Sequence, residues 1–196
     1  YNNTFKDMDI SENIGNHIVL SIDSKDNKII NALFDRSIND NVMFYNYENS
    51  IILENVSFNS SANMNFYSGG TGMINVSQYL NVFVGDVCNP LSGVNVTINS
   101  SDNSYNQFNI TGSDGYINAP ILMPVFWQNA TYKYNFTPYT INATNPTHSR
   151  EVQANLTSSE TVSINLYYDE NTCEPPAGHN LTINQLTTCH DLEIKV

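Results

Sequence analysis

Asn3-Thr-Phe-Lys-Asp-Met-Asp-Ile10, Asn27-Lys-Ile-Ile-Asn-Ala-Leu-Phe34 and Asn49-Ser-Ile-Ile-Leu-Glu-Asn-Val56 read alike, and their first residues lie 24 and 22 positions apart. A second set falls between them: Asn16-His-Ile-Val-Leu-Ser-Ile22, Asn41-Val-Met-Phe-Tyr-Asn46 and Asn63-Met-Asn-Phe-Tyr67, spaced by 25 and 22. Each unit therefore holds two short strands, each opened by asparagine. A fixed period of this length is the mark of a repeat architecture. Within a strand the alternation has period two, with Phe5, Asp7 and Asp9 on one face and Met8 and Ile10 on the other. Asparagine suits the bends, because it tolerates the left-handed backbone of a sharp corner and its amides can bond from one rung to the next. The pattern predicts a stack of about three parallel coils over residues 1–75.

This segment resembles the right-handed parallel β-helix repeats of surface proteins and polysaccharide-acting enzymes. A leucine-rich repeat has a similar period, but its L-x-x-L-x-L consensus is absent. Three coils are close to the minimum for such a stack. We therefore expect the chain to be a segment of a longer precursor, or to be covered by a neighbour at its open end.

After Ser68-Gly-Gly-Thr-Gly72 the pattern changes. Strand-like runs at 78–84, 94–99, 105–110, 116–123, 131–137, 152–157 and 162–167 follow one another with turns between, as in a seven-stranded antiparallel β-sandwich. Val82-Phe-Val-Gly-Asp86, Pro90-Leu-Ser-Gly-Val-Asn-Val-Thr-Ile98, Thr111-Gly-Ser-Asp-Gly115 and Tyr132-Lys-Tyr-Asn-Phe136 resemble, in order and spacing, the carboxypeptidase regulatory-like, transthyretin-related sandwich. Cys88-Asn89 departs from that pattern at the local turn. The resemblance implies an Ig-like sandwich over 76–168. In physical terms, Pro90 and Gly93 bend the chain, and Asp114-Gly115 supplies the positive φ of a tight hairpin.

The tail, 169–196, opens on the polar, proline-rich Glu174-Pro-Pro-Ala-Gly178 and ends in strand-like runs at 180–186 and 191–196. It reads as the first coil of a further β-helix, as a strand donated to a neighbour's sheet edge, or as a disordered tail.

Composition bounds the function. Charged residues are only 13% of the 196, about half the usual share. Asparagine, with 32 copies, keeps the surface polar instead. A net charge of −12 with seven Lys and Arg argues against nucleic-acid partners and against docking on anionic lipid. No run approaches the roughly 18 apolar residues of a membrane span, so no membrane insertion is expected of this segment. No signal peptide is recognisable.

The sequon Asn-x-Ser/Thr occurs at Asn2, Asn55, Asn59, Asn75, Asn95, Asn99, Asn109, Asn129, Asn142, Asn155 and Asn180, and also at Asn135, where Pro138 follows Thr137. Composition alone would produce roughly five or six such sites. The excess points to N-glycosylation and to an extracellular or cell-surface location. Cys88, Cys173 and Cys189 are odd in number and lack metal-site spacing. Cys173 with Cys189 and Cys88 with Cys173 remain rival disulfide pairings.

A search for chemistry yields little. Asp7, Asp9, Asp23, Asp35 and Arg36 are the candidates for a carboxylate groove of the kind a polysaccharide hydrolase or lyase needs. The repeats carry Asn31, Leu33, Leu53 and Asn55 at the places taken as equivalent, so no acidic cluster is built. His17, His148, His179 and His190 lack the spacing of metal ligands. No cofactor is expected; the acidic turns at Asp102 and Asp114 are the only places suited to calcium. Trp127 reads as a core or half-buried edge residue rather than a ligand-stacking one. The expectation is a non-catalytic structural component of an extracellular layer, sheath, filament or adhesin. It would self-associate or meet neighbouring surface-protein subunits, in part by strand addition. High asparagine content, many sequons and an acidic balance resemble archaeal surface proteins. The alternative is a carbohydrate-binding or non-catalytic module of a polysaccharide-acting enzyme, with glycans stacking on Tyr45, Tyr47 and Tyr67.

Overall fold

The structure, a computed structural model, describes residues 3–10, 18–20, 27–34, 42–44, 50–58, 64–66, 72–86 and 89–167. These residues form fifteen strands and no helix, so the all-β expectation holds. The chain divides into two compact units that interleave along the sequence. One takes Tyr1–Leu80, Ile121–Thr137 and Leu156–Glu160; the other takes Asn81–Pro120, Pro138–Asn155 and Thr161–Val196.

In the first unit, β1 (Thr4–Ile10), β3 (Asn27–Phe34) and β5 (Ser50–Phe58) pair in parallel in that order. β2 (Ile18–Leu20), β4 (Val42–Phe44) and β6 (Met64–Phe66) form a second parallel sheet. The chain visits the two sheets alternately, as the two interleaved repeats require. Its register sets Phe5 beside Ile29 and Ile29 beside Leu53, a constant step of 24. The third repeat therefore begins at Ile51, opposite Asn27, and not at Asn49. Reading from Asn49 matched asparagine to asparagine but put every later residue two places out of column.

The corrected columns explain the interior. Ile29, Leu53 and the next neighbour Val76 are all buried, as are Ala32 and Val56 in the following column. Phe5 stands in the first of these columns at the outer edge of β1 and is 47% exposed. Stacking like residues at one step buries apolar faces that a single coil could not cover. Period-two alternation is broken once per strand, at Asp7, Asn31 and Asn55, whose φ values are 54°, 54° and 52°. One left-handed residue inserted in a strand bends it and shifts which side the following residues face. Asp7 and Asp9, expected on one face, are therefore separated by a corner.

β7 (Met73–Asp86) begins as the next parallel strand, with Ser50 to Glu54 opposite Met73 to Ser77. It carries no left-handed residue and runs on for fourteen residues. The expected boundary at 75–76 thus falls inside one unbroken strand. β11 (Ile121–Gln128) pairs antiparallel with β7, and β12 (Lys133–Asn135) pairs antiparallel with β11. The β11–β7 register slips between Pro124 and Phe126, where proline has no N–H to give the ladder.

In the second unit, β10 (Asn106–Ile110), β9 (Asn95–Ser100), β13 (Tyr139–Thr144) and β14 (Ser149–Ala154) form an antiparallel sheet in that order. The end of β7 pairs with β8 (Asn89–Pro90), and Leu166, just past β15 (Glu160–Asn165), donates its N–H to Gly85 O. Val82, Val84, Val96, Ile98, Tyr139, Ile141, Ala143 and Ile164 supply the interior. The two predicted bends are present: Gly93 has φ 75° and Gly115 φ 78°. A Cβ on Gly115 would come within 2.7 Å of Val84 O and 2.8 Å of both Phe83 and Pro90.

Two strand expectations need correction. The run at 116–123 makes only isolated bridges at Tyr116 and Ile117, and its strand starts at Ile121 after Pro120. β13 was not expected, yet it sits centrally between β9 and β14. Asn142 and the adjoining Pro138 are residues that favour turns, yet Tyr139, Ile141 and Ala143 alternate with Thr140, Asn142 and Thr144.

Candidate functional site

The bent positions of the parallel strands β1, β3 and β5 carry a continuous polar ladder. Asn31 Nδ2 donates to Asp7 Oδ1 at 2.9 Å, and Asn55 Nδ2 donates to Asn31 Oδ1 at 2.9 Å. Ser159 Oγ donates to Asn55 Oδ1 at 2.6 Å and accepts from Tyr79 N at 2.8 Å. Every donor in this chain points the same way, and the last member is a carboxylate, which when ionised can only accept. Such chains polarise one another and strengthen. A second link, Asn3 Nδ2 to Asn27 Oδ1 at 3.1 Å, ties the first two coils where their strands begin.

The ladder has a built end. β7 supplies no fourth left-handed asparagine, so the hydroxyl of Ser159 takes the place of that rung. Gln78, buried in the same strand, donates its Nε2 to Val56 O at 2.6 Å. It thereby satisfies a carbonyl that the parallel pairing, ending at Glu54 and Ser77, no longer reaches. Lys28 and Glu54 add an ion pair at 2.6 Å.

These contacts place the candidate carboxylates. Asp7 ends the ladder, and Asp9 is exposed on the far side of the corner. Asp23, Asp35 and Arg36 lie outside the described residues, as do Tyr45, Tyr47, Tyr67, Cys88, Cys173, Cys189, His17, His179 and His190. His148 is described: its N–H donates to Asn145 Oδ1, and its ring meets Tyr167 edge-on at 4.6 Å. Among the described residues no three His, Cys, Asp or Glu come together. Asp102 Oδ1 accepts from Ser100 Oγ, Ser104 N and Ser104 Oγ. The Ser100 hydroxyl first, then the Ser104 amide, holds its carboxyl below the usual range. Asp114 Oδ1 accepts from Tyr116 N. In both acidic turns the Oδ1 atom closes the turn. Asp86 Oδ1 is buried with no hydrogen-bond partner among the described residues.

A second feature is the β11–β12 hairpin. Trp127 and Tyr134 lie directly opposite each other with rings nearly parallel, 5.9 Å apart at 14°. Tyr132 leans on Trp127 at 5.3 Å, and Phe136 meets Tyr134 edge-on at 5.0 Å. Tyr132 is 53% exposed, and Trp127 and Tyr134 are half-buried. Trp127 therefore belongs to an aromatic group open to solvent on one side. Sequence reading saw Trp127 and Tyr132-Lys-Tyr-Asn-Phe136 separately; the pairing that joins them was not visible.

Of the sequon asparagines, Asn95, Asn135 and Asn155 are exposed, and Asn55, Asn75, Asn99, Asn109, Asn129 and Asn142 are half-buried. Asn2, Asn59 and Asn180 lie outside the described residues. Asn55 is committed to the ladder through both its amide nitrogen and its oxygen. Asn99 Oδ1 accepts from Asn106 Nδ2. Asn129 Oδ1 closes its own turn, accepting from the N–H and hydroxyl of Thr131 and the N–H of Tyr132. The described residues contain no helix long and apolar enough to cross a membrane. Comparison with protein families, with curated proteins and with solved structures finds no match to the chain.

Proposed function

We propose that the chain is a glycosylated, non-catalytic structural element of an extracellular surface assembly, built from about three coils of a parallel β-helix and an antiparallel β-sandwich. The observation that carries this reading is the ladder from Ser159 through Asn55 and Asn31 to Asp7. Its polar groups are spent on joining coil to coil, which is what a load-bearing stack requires. The outer edge of β1, with Phe5 exposed in an otherwise buried column, offers backbone groups to which a further parallel strand would add. Sugars on the exposed sequons would keep a surface with few charges soluble.

Electron microscopy of the protein from its native source, with intact-mass analysis, tests the proposal. Regular fibres or sheets, and a mass above the 22.0 kDa of the chain, are expected. Dispersed monomers without added mass would overturn it. A second reading, binding of external carbohydrate, is favoured by the aromatic group at Trp127, Tyr132 and Tyr134. Binding on a glycan array by unglycosylated protein would support that reading instead.

A further inference from the structure

Asn75 is the acceptor of the sequon Asn75-Val-Ser77 and lies in β7. The register sets it directly opposite Trp127, which is itself directly opposite Tyr134. Residues opposite one another in neighbouring strands project from the same face, about 4.5–5.5 Å apart at Cβ. Asn75, Trp127 and Tyr134 thus form one row across three strands, with its outward side half-buried to exposed. On the other side of Asn75 the row continues to Ile52, 37% exposed. The neighbours Ile74 and Val76 face the interior, which leaves the Asn75 amide on the outer face beside the indole.

From this row we infer that the aromatic group is the resting surface of the chain's own glycan, attached at Asn75. This rests on the glycosylation proposed above. The amide nitrogen that would carry the sugar is one strand from Trp127 and two from Tyr134. With strands about 4.8 Å apart, the first one or two rings of a glycan span that distance. A pyranose ring has one face rich in C–H bonds, whose slight positive charge suits the negative face of an aromatic ring. Trp127 and Tyr134 present nearly parallel rings at 14°, with Tyr132 against Trp127. The occupant is tethered, so it meets the surface without the entropic cost of a free ligand. Asn75 then differs from exposed sequons such as Asn95, because its sugar covers apolar surface and stabilises the hairpin against β7.

Trp127 is the only tryptophan in the chain, so intrinsic fluorescence reports on this surface alone. The protein is produced in a host that glycosylates Asn-x-Ser/Thr, and the Asn75 peptide is mapped by mass. Its emission and acrylamide quenching are compared with those of Ser77→Ala, which removes the sequon and leaves Asn75. The glycoprotein should emit at shorter wavelength and be quenched less than Ser77→Ala. Unglycosylated wild type and unglycosylated Ser77→Ala should coincide, showing that the substitution alone does nothing. Occupied Asn75 with unchanged quenching overturns the inference, as does a bare Asn75 when Asn95 and Asn155 are occupied; both leave glycosylation standing. Absence of sugar at every sequon overturns the glycosylation reading together with this one.

Discussion

Asparagine does different work in the parallel strands of the first unit and in the antiparallel sheet of the second. In the parallel strands, Asn31 and Asn55 sit at a left-handed corner and bond to partners 24 residues away. In the second unit, Asn145 Oδ1 accepts from Thr147 and His148, two and three residues on, and Asp102 does the same with Ser104, while Asn145 Nδ2 reaches Tyr167 Oη at 2.8 Å. The first use makes one strand depend on the next in the parallel sheet; the second chiefly closes a turn. Topology accounts for the contrast. Parallel neighbours are joined by long connections, so equivalent corners stack in space. Antiparallel neighbours are joined by short turns, and their polar side chains satisfy the turn itself.

The sharpest way to break this comparison is Asn31→Ala. The change puts a Cβ-bearing residue without local hydrogen bonding at φ 54°, at about 1–2 kcal/mol. It also removes two ladder bonds, each contributing about 0.5–1.5 kcal/mol. A loss of about 2–5 kcal/mol in denaturant unfolding is expected. Asn31→Gly keeps the backbone and should lose about half of that. No loss in Asn31→Gly would mean that the ladder bonds contribute nothing, and equal losses for the two variants would mean that the left-handed backbone contributes nothing.

Ser159→Ala removes the cap, leaving Asn55 without its donor and Tyr79 N without its acceptor. A destabilisation of about 1–2 kcal/mol is expected by the same measurement. It should couple to Asn55→Ala in a double-mutant cycle, since both act on one bond. In the second unit, Asn145→Ala should cost about 1–2 kcal/mol, because it removes the turn-closing bonds and one bond to Tyr167 Oη but strains no left-handed backbone. A loss as large as that for Asn31→Ala would erase the distinction between the two uses of asparagine.

The smallest effect is expected at Asp102, and it depends on pH. Its carboxyl is held below the ordinary range in the folded chain, chiefly by the Ser100 hydroxyl and then the Ser104 amide. A depressed folded pKa contributes stability above the unfolded pKa, and that contribution disappears as pH falls through the folded value. Melting temperatures of wild type and Asp102→Asn should therefore differ at neutral pH and converge on acidification. A gap that widens in acid would contradict the hydrogen-bonding geometry.

Much of the first unit was legible. The paired repeats, the alternation in strands and the aptitude of asparagine for corners all follow from residue type and spacing. The ladder itself was missed by two residues. Starting the third repeat at Asn49 aligned Asn31 with Leu53, whereas the step of 24 aligns it with Asn55. A constant interval from Asp7 to Asn31 to Asn55 was the available signal, and resemblance between strand openings outweighed it. β13 is absent from the expected strands although Tyr139, Ile141 and Ala143 alternate with Thr140, Asn142 and Thr144; pairing with β9 and β14 places it in the middle of its sheet.

Residue chemistry alone determined the all-β character, the repeat period, the positive-φ turns at Gly93 and Gly115 and the positions of the sequons. These depend on local sterics and on periodicity, which travel with the chain. Tertiary structure alone decided which asparagines share a ladder, that Ser159 ends it from a distant part of the chain, and that Asn75, Trp127 and Tyr134 form one row. Those relations are set by strand register, and a shift of one residue turns every side chain to the opposite face. Register is fixed by the packing of whole faces, so no short stretch of sequence contains it.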